Sequence, residues 1–372
     1  MLVSRIYQSI VATKPLLYMT IGYTMNTSKT AVVLLNLGAP DKPESVQPFL
    51  QSLFADPCII EAPGFVRWFL SRVIARSRVR EAGPIYDMLG GRSPLLPNTE
   101  EQAKALEQVL NTDTHSPFKC FIAMRHWKPW TTDAIRAVQE WGATRVMLLP
   151  LYPQYSRSTT GSSFRKWHMD AQQFGLDLPT YSLCCYPLAD GFISASAKLI
   201  HEHKAKYDGQ RPLQILFSAH GIPTVMVKKG DPYEHQIHAC ARAIASKMGL
   251  ASDQWRICYQ SKVGPLPWLT PSTEDALKQA GKEGKNVLLY PLAFVSEHSE
   301  TLIELDVEYA ELAEHAGIES YLRVPTVGTH ADFIGSLASL VRLTLARTPQ
   351  VSDADGQRFC PHTFKRCPSE SS

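Results

Sequence analysis

The chain has no stretch of 18 or more apolar residues in its 372, so no segment reads as a membrane-crossing helix. It has little net charge: a formal +3, with no dominant basic block, which argues against nucleic acid as a partner. None of its eight cysteines (58, 120, 184, 185, 240, 258, 360 and 367) forms a CxxC pair. Scattered, and with no secretory signal ahead of them, they read as reduced thiols of a cytosolic compartment. The first 24 residues contain no acid. They are either a weak organelle-targeting segment or an extension upstream of a start at Met25, and residues 1–29 are left out of the fold reasoning. The whole chain is 44% apolar and 20% charged, the composition of a globular protein too long for one compact core.

The body repeats itself. "AVVLLNLGAP" (31–40) and "LQILFSAHGIP" (213–223) are both strands running into a Gly-x-Pro turn. "PFKCFIAMRHWKPW" (117–130) pairs with "QWRICYQSKVGPLPW" (254–268), and "TRVMLLPLYPQYS" (144–156) with "KNVLLYPLAFVSEHS" (285–299), in the same order. Helical patterns lie between, at 98–110, 131–142 and 271–284, each opening on Thr, Ser or Asn near an acid. Strand and helix in alternation predict an α/β fold with parallel sheets. Two copies predict two doubly wound, Rossmann-like lobes, 30–190 and 191–348, followed by a disordered tail, 349–372. Ligands of such sheets bind beyond the carboxyl ends of the strands. The ends here carry His220, Arg125, Tyr152, Tyr155 and the segment 294–300, which therefore face an interlobe cleft.

Two features stand out at those ends. His220 closes the apolar strand 213–217, although a lone histidine there is more often a satisfied polar group than a catalyst. In "FVSEHSETLIELDVEY" (294–309) Ser296 is the expected helix cap, with Leu302, Leu305, Tyr309 and Leu312 on one stripe. Glu297, Glu300, Glu304 and Glu308 form a second row at spacings of three and four. Such a row is commonly only a solvated face; opposite a histidine at another strand end, it gains weight as a site.

"FSAHGIP" (217–223), "GDPY" (230–233), "YQSKVGPLPWLTP" (259–271), "YPQYSRSTTGSS" (152–163) and "SEHSETLIELD" (296–306), with "LLNLGAP" and "GGRSPL" in the first lobe, resemble the ferrochelatases over about residues 30–345. That family inserts ferrous iron into protoporphyrin IX in haem biosynthesis and has the type II chelatase fold. The resemblance implies a metal chelatase, a lyase, with Fe²⁺ and the porphyrin as substrates. His220 and Glu300 would be catalytic and contact the metal. Glu297, His298, Glu304 and Asp306 would form a metal or proton path. Leu37, Arg125, His126, Tyr152, Tyr155, Ser156, Trp268 and Phe294 would hold the porphyrin. The residue types suit the reaction: histidine is the base that titrates near neutrality, and imidazole and carboxylate are suitable donors for ferrous iron. The family often carries a π-type turn in the acidic helix, which would turn its carboxylates inward.

Other expectations follow. The insertion "PGFVRWFLSRVIARSRVR" (63–80), apolar at 65, 66, 69, 70 and 73 and with five arginines, is either a helix packed on the core or a porphyrin-covering lip that touches membrane. Location is cytoplasmic, or peripheral on the inner membrane; monomer and homodimer both stay open. No [2Fe–2S] cluster is expected, since the tail holds only Cys360 and Cys367 and Arg157 stands where animal relatives have a further cysteine. The rivals are a non-catalytic tetrapyrrole or solute-binding protein and a cobalt or nickel chelatase acting on sirohydrochlorin. Coproporphyrin III stays open as a substrate beside protoporphyrin.

Overall fold

The computed structural model describes residues 28–369 apart from Asp113, His115, Pro349, Gln357 and the side chain of Glu81. The amino-terminal extension, up to residue 27, lies outside the described residues. Nine parallel strands form two sheets: β1 (Thr30–Asn36), β2 (Phe118–Met124), β3 (Arg145–Pro150), β4 (Thr180–Leu183) and β9 (Val351–Ser352) in the order β2-β1-β3-β4-β9, and β5 (Leu213–His220), β6 (Trp255–Gln260), β7 (Asn286–Pro291) and β8 (Tyr321–Arg323) in the order β6-β5-β7-β8. Without β9 the two orders are the same, which is the structural form of the sequence repeat.

The repeat extends to single hydrogen bonds. At the end of β2, Met124 N–H donates to Pro129 O (2.8 Å), and near the end of β6, Tyr259 N–H donates to Pro271 O (3.0 Å). Leu151 N–H donates to Leu35 O (2.9 Å), and Leu292 N–H to Ser218 O (2.7 Å). All seven residues of β1 and all six of β7 are buried, as expected of strands covered on both faces. Gly38, in the turn after β1, has φ +84°, and a Cβ there would lie 2.9 Å from Trp127 N. No other residue fits that turn.

One hydrophobic core joins the lobes. Val32, Leu34 and Leu149 of the first sheet and Ile215, Phe217 and Leu288 of the second belong to it, with Phe192, Phe333, Leu337 and Val341 between them. Separate cores cover the outer faces. The closing helices are exchanged: Asp190–Lys204, which follows β4, packs on β7 and on the helix Tyr233–Lys247, whereas Ala331–Leu345, which follows β8, packs on β3, β4 and the helix Leu95–Leu110. A division at residue 190 is therefore a boundary in the sequence and not in the packing.

The tail departs from expectation. Instead of being disordered, β9 adds to the edge of β4 in register Ser182↔Val351. Arg347 donates to Ser352 Oγ, Asp353 O and Ala354 O. Arg358 donates to Cys360 O (3.0 Å), Phe364 O (2.8 Å) and Ser369 O (3.1 Å). Phe359 and Phe364 flank the His235 ring, with centroids 5.5 and 5.2 Å away. The tail has few apolar residues, but two guanidinium groups satisfy its carbonyls, which removes much of the cost of ordering such a segment.

Candidate active site

His220 ends β5, in register with Gln260 at the end of β6. Its Nδ1 lies 2.6 Å from Gly221 O, which makes Nδ1 the donor and leaves the Nε2 lone pair free. Nε2 faces Glu300 Oε2 at 3.6 Å, with both side chains about one-third exposed (37% and 33%). Trp268 and Phe294 flank the imidazole, each with ring centroids 6.4 Å away. Tyr233 OH donates to His220 O (2.9 Å), so the GDPY turn fixes the strand end that carries the histidine. The expected wall residues Trp268 and Phe294 are thus beside the His220–Glu300 pair.

The acidic segment differs from a regular helix capped at Ser296. Ser296 Oγ donates instead to Gln102 Oε1 (2.8 Å), and a π-helix spans Glu300–Glu308 before the α-helix Tyr309–His315. The wider turn buries Ile303, Leu305 and Tyr309 and re-phases the carboxylates. Glu304 points to the same side as Glu300. It accepts from Ser261 N (2.8 Å), Ser261 Oγ (2.6 Å), Gln260 Nε2 (3.0 Å) and Tyr309 OH (2.9 Å). Burial, and then the charge of Glu300, push its carboxyl above the ordinary range despite those donors. Ser261 is the one non-glycine among the described residues with positive φ, 64°; this unfavourable backbone aims both its N–H and its hydroxyl at Glu304.

The other expected path residues divide. His298 accepts from Glu300 N at Nδ1 (3.0 Å) and meets the Phe294 ring edge-on at 4.5 Å. Burial holds its pKa below the usual value, so it is a neutral acceptor beside the pair. Glu297 and Asp306 are elsewhere engaged: both pair with Arg323, at 2.7 and 2.5 Å, and Glu297 also accepts from Thr326 N (2.8 Å). They brace the helix against β8 and do not join Glu304. Glu308 is exposed.

The expected porphyrin contacts divide as well. Leu37 and Tyr152 are half-buried at the ends of β1 and β3. Arg125 is not a free cation: its guanidinium lies 2.7 Å from Asp56 Oδ2 and donates to Ser162 Oγ (2.6 Å), and Ser162 Oγ donates to Asp56. Burial would raise the Asp56 carboxyl, but Arg125 and its hydrogen bonds outweigh it and hold the carboxyl below the usual range. His126 is completely buried, with its Nε2 3.7 Å from Asp56 Oδ2, and burial holds its pKa below the usual value. It is a neutral core residue and not a wall of the cleft. Tyr155 and Ser156 are buried lobe-to-lobe contacts: Tyr155 N–H donates to Gln236 Oε1 (2.7 Å), and Ser156 Oγ to Asp231 Oδ2 (3.0 Å).

Four participants were not read as site residues from the sequence: Gln260, Ser261, Tyr86, and Tyr309, which was read only as part of an apolar stripe. The first two lie inside the quoted "YQSKVGPLPW". Tyr86, from the insertion helix, places its hydroxyl beside Ser299 and Glu300, and burial pushes it up to about 12, so it stays a donor. No spacing rule links residue 86 to residue 300.

The cysteines expected to be free of iron–sulfur ligation form two contacts. Cys184 and Cys185 have sulfurs 3.3 Å apart, and the Cys360 thiol bonds to Cys367. The Gln236 amide stands between the pairs, donating to Cys185 Sγ (3.4 Å) and Cys360 Sγ (3.0 Å). Among the described residues no group of three or more His, Cys, Asp or Glu converges as metal ligands. Arg157 pairs with Glu61 at 2.5 Å.

Comparisons with known proteins give the family and the fold. The ferrochelatase family profile matches residues 29–345. A ferrochelatase of Caulobacter vibrioides is 46% identical over 344 residues, 92% of this chain and 98% of its own length. Those of Pelagibacter ubique and Rickettsia bellii are 43% and 40% identical over 91% and 92% of this chain, and 98% and 96% of their own lengths. Among solved structures, SirB from Bacillus subtilis with Fe³⁺ superposes with TM-score 0.51 at 13% identity, covering 86% of this chain and 96% of that one. At that identity the likeness shows the fold, two doubly wound lobes of the chelatase type. With its own sequence repeat, its paired sheets and these relatives, the chain belongs to the ferrochelatase family.

Proposed function

We propose that this protein is a lyase that inserts ferrous iron into protoporphyrin IX to give protohaem, releasing two protons, at the gap between His220 and Glu300. The observation that carries the assignment to these residues is the imidazole Nε2 facing a carboxylate at 3.6 Å, flanked by Trp268 and Phe294. Each pyrrole N–H must give up a proton as iron loses its waters. His220 Nε2, an acceptor by virtue of the Nδ1 contact to Gly221 O, takes a proton from the macrocycle. The Glu300 carboxylate replaces water on the cation from the other side. Glu304, held with a raised affinity for protons, receives a proton by way of Glu300.

Trp268 and Phe294 supply flat apolar contact, with Leu37 and Tyr152 as the counterpart at the first sheet. The exposed part of Arg125, whose side chain is 15% accessible, is left for a propionate. The insertion helix Gly64–Met88 supports the lip reading over the core reading: Phe65 (80%), Trp68 (58%), Phe69 (61%) and Val73 (49%) face outward, with Arg67, Arg72 and Arg76 on the same helix. That face suits peripheral contact with a membrane, where porphyrin partitions. No helix among the described residues is long and apolar enough to cross one. The setting we propose is the cytoplasm, with the inner membrane surface as the contact.

The deciding experiment follows porphyrin fluorescence under anaerobic conditions with ferrous iron. Protoporphyrin IX emission should be lost at a rate proportional to enzyme. Loss with sirohydrochlorin alone would favour the cobalt or nickel chelatase reading, and binding without loss would favour a carrier.

A further inference from the structure

Glu297 and Asp306, two acids expected on a metal or proton path, have no task in the proposed chemistry. Both are instead held by one side chain, that of Arg323 at the carboxyl end of β8, in register with Leu289 of β7. The guanidinium forks onto Asp306, Nε to Oδ1 at 2.6 Å and Nη2 to Oδ2 at 2.5 Å, and its Nη1 donates to Glu297 Oε1 at 2.7 Å. Thr326 N–H adds a bond to the same Glu297 oxygen (2.8 Å). The Arg323 side chain is 12% exposed. It is a largely buried bridge between two carboxylates, made by a planar fork that lysine cannot reproduce.

The bridge requires the wide helix. Carried on as one α-helix from a cap at Ser296, residues 297 and 306 would stand about two and a half turns apart, on opposite faces. The i→i+5 bonds of the π-helix Glu300–Glu308 put more residues into each turn, and Asp306 comes round to the side of Glu297. Nine residues is long for a conformation mostly confined to single turns, so tertiary contacts must hold it. Ahead of it, the first-lobe helix Leu95–Leu110 fixes the chain: Asn98 Nδ2 donates to Glu297 O (3.0 Å) and Gln102 Nε2 to Val295 O (2.9 Å). Within it, Tyr321 OH donates to Leu305 O (2.7 Å). Tyr321 and Arg323 are alternate residues of β8 and so leave one face of the strand. Arg323 joins the two ends.

We propose that Arg323 is a positioning residue: its bridge from Glu297 to Asp306 holds the segment in π-helical register and so sets where Glu300 stands against His220. Its part in turnover rests on His220 and Glu300 being the insertion site; its part in the helix does not. Without the bridge, the Leu- and Glu-rich segment relaxes to the regular α-helix that those residues favour. Glu300 then turns away from its 3.6 Å approach to His220 Nε2. A shift of about 1 Å at a reacting group is enough to cost 10²-fold in rate.

The test has a structural and a kinetic arm, both on the full-length protein. Crystal structures without metal should show i→i+5 bonds over 300–308 in the wild type and i→i+4 bonds in Arg323→Met, with Glu300 displaced by more than about 1 Å. Well below the melting midpoint of the variant, its kcat with ferrous iron should be lower by about ten-fold or more. Its porphyrin affinity, from fluorescence titration, should stay within about three-fold of wild type. A bridge that only stabilised the fold would lower the melting midpoint and leave kcat unchanged. Asp306→Asn, on the more exposed side of the bridge (33%), should lower kcat in the same sense, and it serves where Arg323→Met does not fold. The double variant should lose no more than Arg323→Met alone, because both changes act through one bridge. A wild type that inserts no iron would remove the site reading, and the structural arm would still decide the role of Arg323. Intact i→i+5 bonds in the variant, an unchanged kcat, or losses that add in the double variant would each overturn the proposal.

Discussion

His220 has two neighbours with separate tasks: Gly221 O sets its tautomer and Glu300 stands where the metal would be held. His220→Ala should lower kcat by about 10²-fold or more, the scale of a positioned acid or base. Glu300→Gln keeps the shape and removes the charge, so its loss should be of similar size. Glu304→Gln should lose less than Glu300→Gln, since Glu304 lies one turn further from the metal gap; equal and small effects at both positions would return these carboxylates to a structural role. Glu304 also carries a pH signature. Its raised pKa means that the folded protein keeps this proton where the unfolded chain, at about 4.3, has lost it. Ionisation thus removes stability as pH rises from about 4.3 through the folded value. The stability of Glu304→Gln relative to wild type should therefore improve as pH rises above about 4.3, as read by denaturant unfolding. A difference that stays constant or moves the other way contradicts the raised pKa.

At the scale of elements, the π-helix and the tail decide most. The wider turn at 300–308 puts Glu300 and Glu304 together and sends Glu297 and Asp306 to Arg323. The sequence showed the strand repeat clearly, because burial on both faces leaves continuous apolar runs that can be matched in order. It also placed His220 and the carboxylate row from Glu297 at strand ends, where such sheets bind ligands; the choice of Glu300 within that row came from the family resemblance. Residue spacing could not show the change of helical period, which only the family resemblance suggested, nor that His126 turns inward. Nor could composition reveal the tail's docking, since the stabilising partners are guanidinium-to-carbonyl bonds and not apolar residues. Removing residues 350–372 would strip β9 from β4 and uncover Cys184, Cys185 and Gln236, all at most 1% exposed. That truncation should destabilise the protein by about 2 kcal/mol or more, from lost burial alone. An unchanged melting midpoint would show that the tail does not dock.

On the scale of the whole molecule, the lobes share one core and exchange their closing helices, so the cleft does not open by separating them. The insertion helix is the element free to adapt, packed on one side and exposing Phe65, Trp68 and Phe69 on the other. Replacing these three by Ser should weaken binding to anionic vesicles by at least ten-fold, since even partial burial of three such side chains exceeds about 1.4 kcal/mol. Turnover of porphyrin in detergent should remain. Equal vesicle binding by the variant would rule out this face as the contact.

The central claim, that His220 performs chemistry and not binding, is tested most directly by two readouts on one variant. Porphyrin affinity comes from fluorescence titration without metal, and kcat from anaerobic loss of fluorescence with ferrous iron, for wild type and His220→Ala. The account predicts affinity within about three-fold of wild type, less than 0.7 kcal/mol, and kcat lower by about 10²-fold or more. A variant that keeps more than roughly a tenth of the wild-type kcat, or one that loses affinity and turnover together, would contradict it.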